Sequence, residues 1–189
     1  GKNLTLSIAL KPVFLFPRDQ FNLNIAISLA VHDFLCQSLQ QAVFIKWPND
    51  LIVMDRKITG ILIENQIMGS SIVHAVAGIG VNVNQQHFSV PAAISMSLVP
   101  DKTFALSGLL ETLLERIEFR YIQLRSGRIS QMREEYLSHM YRINESHLYE
   151  SGGERFEGMI TGIDEAGRLK LKTATETRCF QVKEISFVV

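Results

Sequence analysis

Apolar and polar residues alternate over residues 3–10, which is the pattern of a half-buried β-strand. From residue 20 to residue 39 the apolar positions instead return at helical spacing, and they predict a long helix that Asp19 can cap. The chain therefore opens with a strand, followed by a helix that packs on the sheet.

Three short apolar runs follow, and they predict strands over residues 42–45, 51–54 and 58–64. Pro48 fixes its own φ and favours an extended Trp47, so the chain turns between the first run and the second. The charged residues 55–57 predict a reversal between the second run and the third. The ends of these three strands therefore meet at one place.

A longer strand is predicted over residues 72–84, with its odd-numbered residues facing the core. Its other face carries Gly78 and Gly80, and then Asn82. Glycine in a strand interior is unfavourable, so this alternation indicates a bulge, a bulky neighbouring side chain or the close approach of a ligand. The pattern alone leaves these explanations open.

The second half of the chain is helical first and then rich in short strands. A helix begins at Ser107, and Gly127 separates it from another helix over residues 129–141. From Asn144 onwards, turn residues at short intervals predict a small β-barrel. We therefore expect an α+β protein with a mixed, largely antiparallel sheet backed by helices, followed by that barrel.

Composition and charge exclude several classes of protein. Hydrophobic residues make up 47% of the 189 residues and charged residues 20%, which is typical of a globular chain. Basic and acidic residues balance at 19 each, so no global field attracts nucleic acid or an anionic membrane. Cys36 and Cys179 are too few for a disulfide framework and lack the spacing of zinc ligands. We therefore expect a cytoplasmic location.

Lys46, Asp50 and Lys57 lie at the ends of the three short strands, and we expect them to point into a common pocket. The lysines could hold anionic oxygens, and the aspartate could hold a metal ion or the proton of a nucleophile. Taken one at a time, each is better explained as a solvated turn charge. The combination is what indicates a site.

The string KWPNDL over residues 46–51, followed by DRKITGILIE over residues 55–64, resembles the central motif of the biotin protein ligases. The resemblance continues through GIGVNVN over residues 78–84 and through the C-terminal GID-x-x-G-x-L and EISF segments. It implies a catalytic domain like those of class II aminoacyl-tRNA synthetases and biotin ligases over residues 1–143. An SH3-like β-barrel domain is implied over residues 144–189.

The resemblance also implies an activity. Biotin protein ligases join biotin to ATP in the presence of Mg²⁺, giving biotinyl-adenylate and pyrophosphate, and then transfer the biotinyl group to one lysine of a biotin carboxyl carrier domain. By this resemblance Lys57 contacts the biotin carboxyl group and the α-phosphate, and Lys46 holds phosphate oxygens. Asp50 positions and deprotonates the acceptor lysine, or alternatively coordinates Mg²⁺.

The resemblance assigns further residues to the biotin and nucleotide pocket. They are Trp47, Asn49, Gly60, Gly78, Gly80, Asn82 and Phe88. Asn82 would touch the nucleotide. Phe88 would flank the adenine, although its aromatic ring could equally cover the core.

One part of the family pattern is missing from these residues: a Gly-Arg-rich loop over biotin and the Ser-Thr segment before it. Both precede the strand that matches residues 4–10, so we expect the chain to be a fragment of a longer ligase, with any DNA-binding domain outside it. The alternative is a non-catalytic remnant that binds a carrier domain or forms a homodimer through a sheet edge. Lipoate ligases and octanoyl transferases share the fold, but the KWPND string points away from them.

Overall fold

The computed structural model describes residues 1–188, and its larger sheet has five antiparallel strands in the order β1-β5-β4-β3-β2. The strands are β1 (Leu4–Leu10), β2 (Phe44–Lys46), β3 (Asp50–Val53), β4 (Arg56–Met68) and β5 (Ser71–Val81). β1 shows the predicted alternation, because Leu4, Leu6, Ile8 and Leu10 turn to the core while Thr5 and Ser7 are exposed.

Three helices belong to the part of the chain that the structure describes: α1 (Phe21–Leu39), α2 (Leu106–Arg125) and α3 (Ile129–Ser138). α1 is the most deeply buried of them, with a run from Ile25 to Val31 that has no exposed surface among its apolar side chains. It contacts both α2 and α3 as well as the sheet. None of the helices in residues 1–188 is long and apolar enough to cross a membrane.

The smaller sheet follows α3 and also has five antiparallel strands, in the order β10-β6-β7-β8-β9. They are β6 (Ser146–Ser151), β7 (Glu154–Ile163), β8 (Leu169–Lys172), β9 (Thr177–Phe180) and β10 (Ser186–Phe187). The predicted α+β class is confirmed, and the strands of each sheet pair with their neighbours in that sheet in antiparallel orientation.

Two predictions about the ends of helices were wrong. Asp19 does not cap α1, because Pro17–Asp19 form a 3-10 helix and Gln20 precedes α1 without a capping side chain. α3 ends at Ser138 and not at residue 141, because the next residues pair with β2: the Ile45 N–H donates to the carbonyl of His139.

The hairpin of β4 and β5 is longer than predicted. β4 continues to Met68, although its residues after Gly60 have no Cα partner in β3. Its turn with β3 uses Met54 and Asp55, both with positive φ, so Lys57 lies within β4 and not in the reversal.

A buried arginine ties the three helices together. Arg120 of α2 is only 6% exposed, and its guanidinium donates to Asp33 of α1, with the two bonds 2.7 and 2.9 Å long. It also donates to Glu135 of α3 at 2.7 Å. Burial alone would lower the pKa of Arg120, but the hydrogen bonds that it donates to Glu135 and Asp33 outweigh the burial and raise the pKa.

Candidate active site

The register of the larger sheet places residues from four strands in one row. Thr5 is opposite Gly80, Gly80 is opposite Gly60, and Gly60 is opposite Asp50. A second row beside it pairs Ser7 with Gly78 and Gly78 with Leu62. Both rows lie on the face turned away from the helices, where they form the floor of a groove of about 430 Å³.

The glycines keep this floor flat. A Cβ on Gly78 would meet only the Leu62 carbonyl oxygen at 3.6 Å, and one on Gly80 only that of Gly60 at 4.0 Å. Among the described residues, then, no bulky side chain accounts for these two glycines. Gly60 differs, because its Cβ would lie 3.2 Å from Lys57 Nζ. The missing side chain at Gly60 lets Lys57 lie across the strand.

Lys57 and Asp50 form an ion pair at one end of the floor. Lys57 Nζ is 2.6 Å from Asp50 Oδ1, and the two side chains are 48% and 25% exposed. The backbone of Lys57 is held by the following loop, because its N–H donates to the Ala92 carbonyl and its carbonyl accepts from the Ile94 N–H. The prediction from the sequence that Asp50 and Lys57 lie close together is therefore correct.

Lys46 stands opposite Asp50 in the register, but it is not among the residues that line the floor. Its ammonium lies 4.7 Å from the ring centroid of Phe187, on the last strand of the smaller sheet. Burial lowers the pKa of Lys46; the positive charges of Arg142 and Lys57 act in the same direction, and Asp50 opposes them. Lys46 therefore lies at the junction of the two sheets.

The turn between β2 and β3 is held at each of its residues. Trp47 is 4% exposed, and its indole N–H donates to the Gly167 carbonyl at 2.9 Å. The Pro48 carbonyl accepts from the Asn24 side-chain amide at 2.7 Å. Asn49 exchanges hydrogen bonds with Ile61, both through its carbonyl and through its side-chain amide. Asp50 is thus carried on a rigid turn.

A second groove of about 530 Å³ runs along the seam between the two sheets. It shares Asn49 and Leu62 with the floor, so the two grooves adjoin at these residues, next to Asp50. Trp47 lines this seam groove and not the floor.

Two of the predicted pocket residues lie elsewhere. The Asn82 side chain donates to the Ile94 carbonyl at 3.1 Å and so holds the loop that anchors Lys57. Phe88 is half-buried in that loop, and neither residue is among those lining the two grooves. Their roles toward a nucleotide stay predictions.

Thr5, Ser7 and Leu62 line the floor but were missed from the sequence. The alternation of β1 had placed Thr5 and Ser7 on its polar face, which was the available signal. Nothing local showed that this face lies beside the glycines of β5.

No group of three or more His, Cys, Asp or Glu side chains arranged to hold a metal ion occurs in residues 1–188. Among the described residues that line the floor, Asp50 alone carries a carboxylate, and it is already paired with Lys57. The donor set therefore does not fit a metal held by the protein alone.

Comparison with known sequences places this site within a family. Residues 2–82 match the biotin/lipoate A/B protein ligase family, and residues 149–187 match the biotin protein ligase C terminal domain. The bifunctional ligase/repressor BirA of Bacillus spizizenii is 27% identical over 92% of this chain and 54% of its own length. The biotin--[acetyl-CoA-carboxylase] ligase of Paracoccus denitrificans is 25% identical over 87% of this chain and 72% of its own length.

Solved structures show the same architecture. The biotin protein ligase of Aquifex aeolicus superposes with a TM-score of 0.82, covering 99% of this chain and 82% of that protein at 22% identity. The same ligase in complex with biotin and ATP gives a TM-score of 0.80. The fold is thus shared with biotin protein ligases.

The chain belongs to the biotin protein ligase family. It spans about half the length of the BirA relatives that it matches. The predicted division at residues 143 and 144 stays a prediction, although the second family match begins within β6.

Proposed function

We propose that this chain supplies catalytic machinery of a biotin protein ligase, which activates biotin with ATP and transfers it to a lysine of a biotin carboxyl carrier domain. The observation that carries the proposal is the Lys57–Asp50 pair, 2.6 Å apart, at the end of a glycine floor. An ammonium beside an open floor can hold a ligand's carboxylate, while the floor admits the rest of the ligand to the backbone.

In the first step, Lys57 would hold the biotin carboxylate and then the negative charge that develops on the α-phosphate. Lys46 would hold phosphate oxygens, which suits a half-buried cation that no described carboxylate pairs directly. Mg²⁺ would neutralise phosphate charge; it usually binds through one or two carboxylates together with substrate phosphates. Asp50 is the residue here that could contribute a carboxylate oxygen.

In the second step, Asp50 would accept a proton from the acceptor lysine. Its carboxylate is partly exposed and stands where the floor meets the seam groove. The seam groove also runs along the part of β4 beyond its pairing with β3, next to Ile63 and Asn65. This stretch gives the carrier domain a path to Asp50.

The location that we propose for the protein is the cytoplasm. Cys36 and Cys179 are both free thiols, which suits a reducing compartment.

We expect Gly80→Val to abolish measurable binding of biotinyl-adenylate while leaving the fold intact. The valine side chain would project over the floor, but its Cβ would lie 4.0 Å from the nearest backbone atom, and valine favours strands. Calorimetric titration with biotinyl-adenylate measures the loss. His74→Val, at another exposed position of β5, is the matched control and should bind normally. Equal affinity in the two variants would show that the ligand does not lie on the floor.

We expect Asp50→Asn to slow transfer to the carrier by about 10²-fold, in line with loss of a general base, and to slow adenylate formation by much less. Single-turnover transfer from preformed adenylate and pyrophosphate release measure the two steps separately. Asp55→Asn, in the adjacent hairpin turn, is the control. Equal losses in both steps would instead assign Asp50 to the metal ion of the nucleotide.

The function as a whole is tested by biotin-dependent exchange of pyrophosphate into ATP, followed by mass spectrometry of a carrier domain. We expect exchange and a mass increase of one biotinyl group. Calorimetric titration of the 189-residue chain and of an N-terminally longer form with biotinyl-adenylate shows how much of the affinity these residues provide. Absence of exchange and of adenylate binding in both forms would refute the function.

A further inference from the structure

The smaller sheet contacts the turn that carries Asp50 at two neighbouring residues. The Gly167 carbonyl accepts the indole N–H of Trp47, and the Phe187 ring lies under the ammonium of Lys46. Lys57 is anchored differently, by hydrogen bonds to Ala92 and Ile94 in the loop after β5. The spacing between the two lysines therefore depends on how the smaller sheet is seated.

Gly167 is packed so closely against α1 that a side chain would not fit there. It has a φ of +85°, and a Cβ added to it would lie 2.0 Å from Cγ of Phe21 at the start of α1. The turn around it is rigid, because Asp164 accepts from both the backbone N–H and the guanidinium of Arg168. Arg133 of α3 donates to the Asp164 carbonyl and to the Asn22 side chain.

We propose that Gly167 is a positioning residue for the reaction: its turn packs against α1 so closely that its carbonyl fixes the indole of Trp47, and through Trp47 the adjacent Lys46. This inference rests on the proposed function, in which Lys46 holds phosphate oxygens. Displacing the turn would move Lys46 away from the phosphates. It would leave Lys57 and the glycine floor where they are.

The test uses Gly167→Ala together with Gly153→Ala. Gly153 has a φ of +82°, so alanine is strained there to the same degree, but nothing lies within 4 Å of an added Cβ. Both variants should lose similar stability from the backbone strain. Only Gly167→Ala should raise the KM for ATP in the exchange reaction, by about 10-fold to 10²-fold, the scale expected for a misplaced binding group. Biotin affinity should stay within about twofold of wild type, because Lys57 and the glycine floor are held by contacts that do not involve Gly167.

Tryptophan emission gives a readout that does not depend on activity, because Trp47 is the single tryptophan of this sequence. Trp47 is 4% exposed, so Gly167→Ala should shift its emission to the red as the displaced indole gains contact with water, and Gly153→Ala should not. Removing the obstructing ring should restore the contact, so the Phe21→Ala/Gly167→Ala double variant should resemble Phe21→Ala alone, both in emission and in the KM for ATP.

The outcomes separate the inference from the proposed function. Emission that is unchanged in Gly167→Ala would overturn the positioning role, as would an equal rise in KM in Gly153→Ala. A fall in kcat with no change in the KM for ATP would indicate only a loss of folded protein and would also overturn it. If neither the 189-residue chain nor the longer form shows exchange or binds biotinyl-adenylate, the proposed function fails, while the emission comparison still decides whether Gly167 positions Trp47.

Discussion

Lys57→Ala should lower the rate of biotinyl-adenylate formation by roughly 10²- to 10³-fold, the loss that follows removal of one group aimed at developing negative charge. The side chain is 48% exposed and lies above Gly60, so its removal opens no cavity in the core. The free energy of unfolding should therefore change by less than about 1 kcal/mol. Pyrophosphate release measures the rate, and urea unfolding measures the stability.

Lys172→Ala is the matched control for Lys57→Ala, because Lys172 is also an exposed lysine on a strand but lies in the smaller sheet. It should release pyrophosphate at the wild-type rate. Unchanged pyrophosphate release in Lys57→Ala would remove Lys57 from the chemistry. A large loss of stability in that variant would assign it a structural role instead.

Arg120→Ala should lower the free energy of unfolding by about 3 kcal/mol, at the low end of the cost of breaking a buried ion pair. The substitution leaves Asp33 and Glu135 close together without their shared cation. These carboxylates are 22% and 31% exposed, so water offsets part of the cost. The variant also loses the link between the three helices.

Arg125→Ala provides the comparison, since Arg125 is an exposed arginine on the same helix. Its removal should cost only a few tenths of a kcal/mol, through the lost interaction with the C-terminus of α2. Urea unfolding of the two variants at equal m-value gives the difference. If Arg120→Ala cost no more than Arg125→Ala, the buried network would contribute nothing to the stability of the helical layer.

The elements of the fold could be predicted largely because their signals are local. Alternation located β1 and β5, helical spacing located α1, and turn residues located the start of the smaller sheet. Register could not be predicted in this way. Asp50 faces Gly60 because Met54 and Asp55 both adopt positive φ in the hairpin turn, and because a bulge follows Leu51. Neither feature leaves a mark in the hydrophobic pattern.

The candidate site was predictable to the extent that its residues are close along the chain. Asp50 and Lys57 face each other across one hairpin, so a short motif contains both. The position of the Lys46 ammonium is instead set by its contact with Phe187, which is distant in sequence and belongs to the other sheet. Asn82 shows what the pattern could not give: its side chain donates to the Ile94 carbonyl, a backbone group that needs a partner, and its role toward a nucleotide stays a prediction.

The ion pair between Lys57 and Asp50 has a consequence for the order of events. Before a substrate binds, the charges of Lys57 and Asp50 neutralise each other, so the groove does not present an unpaired ammonium group at Lys57. An anionic substrate must compete with Asp50 for the ammonium of Lys57. As it succeeds, the carboxylate of Asp50 is released to take up a proton. Under the proposed function the pair would thus couple the two steps: binding of the activated acid to Lys57 would free the carboxylate of Asp50 to act as the base for the acceptor lysine.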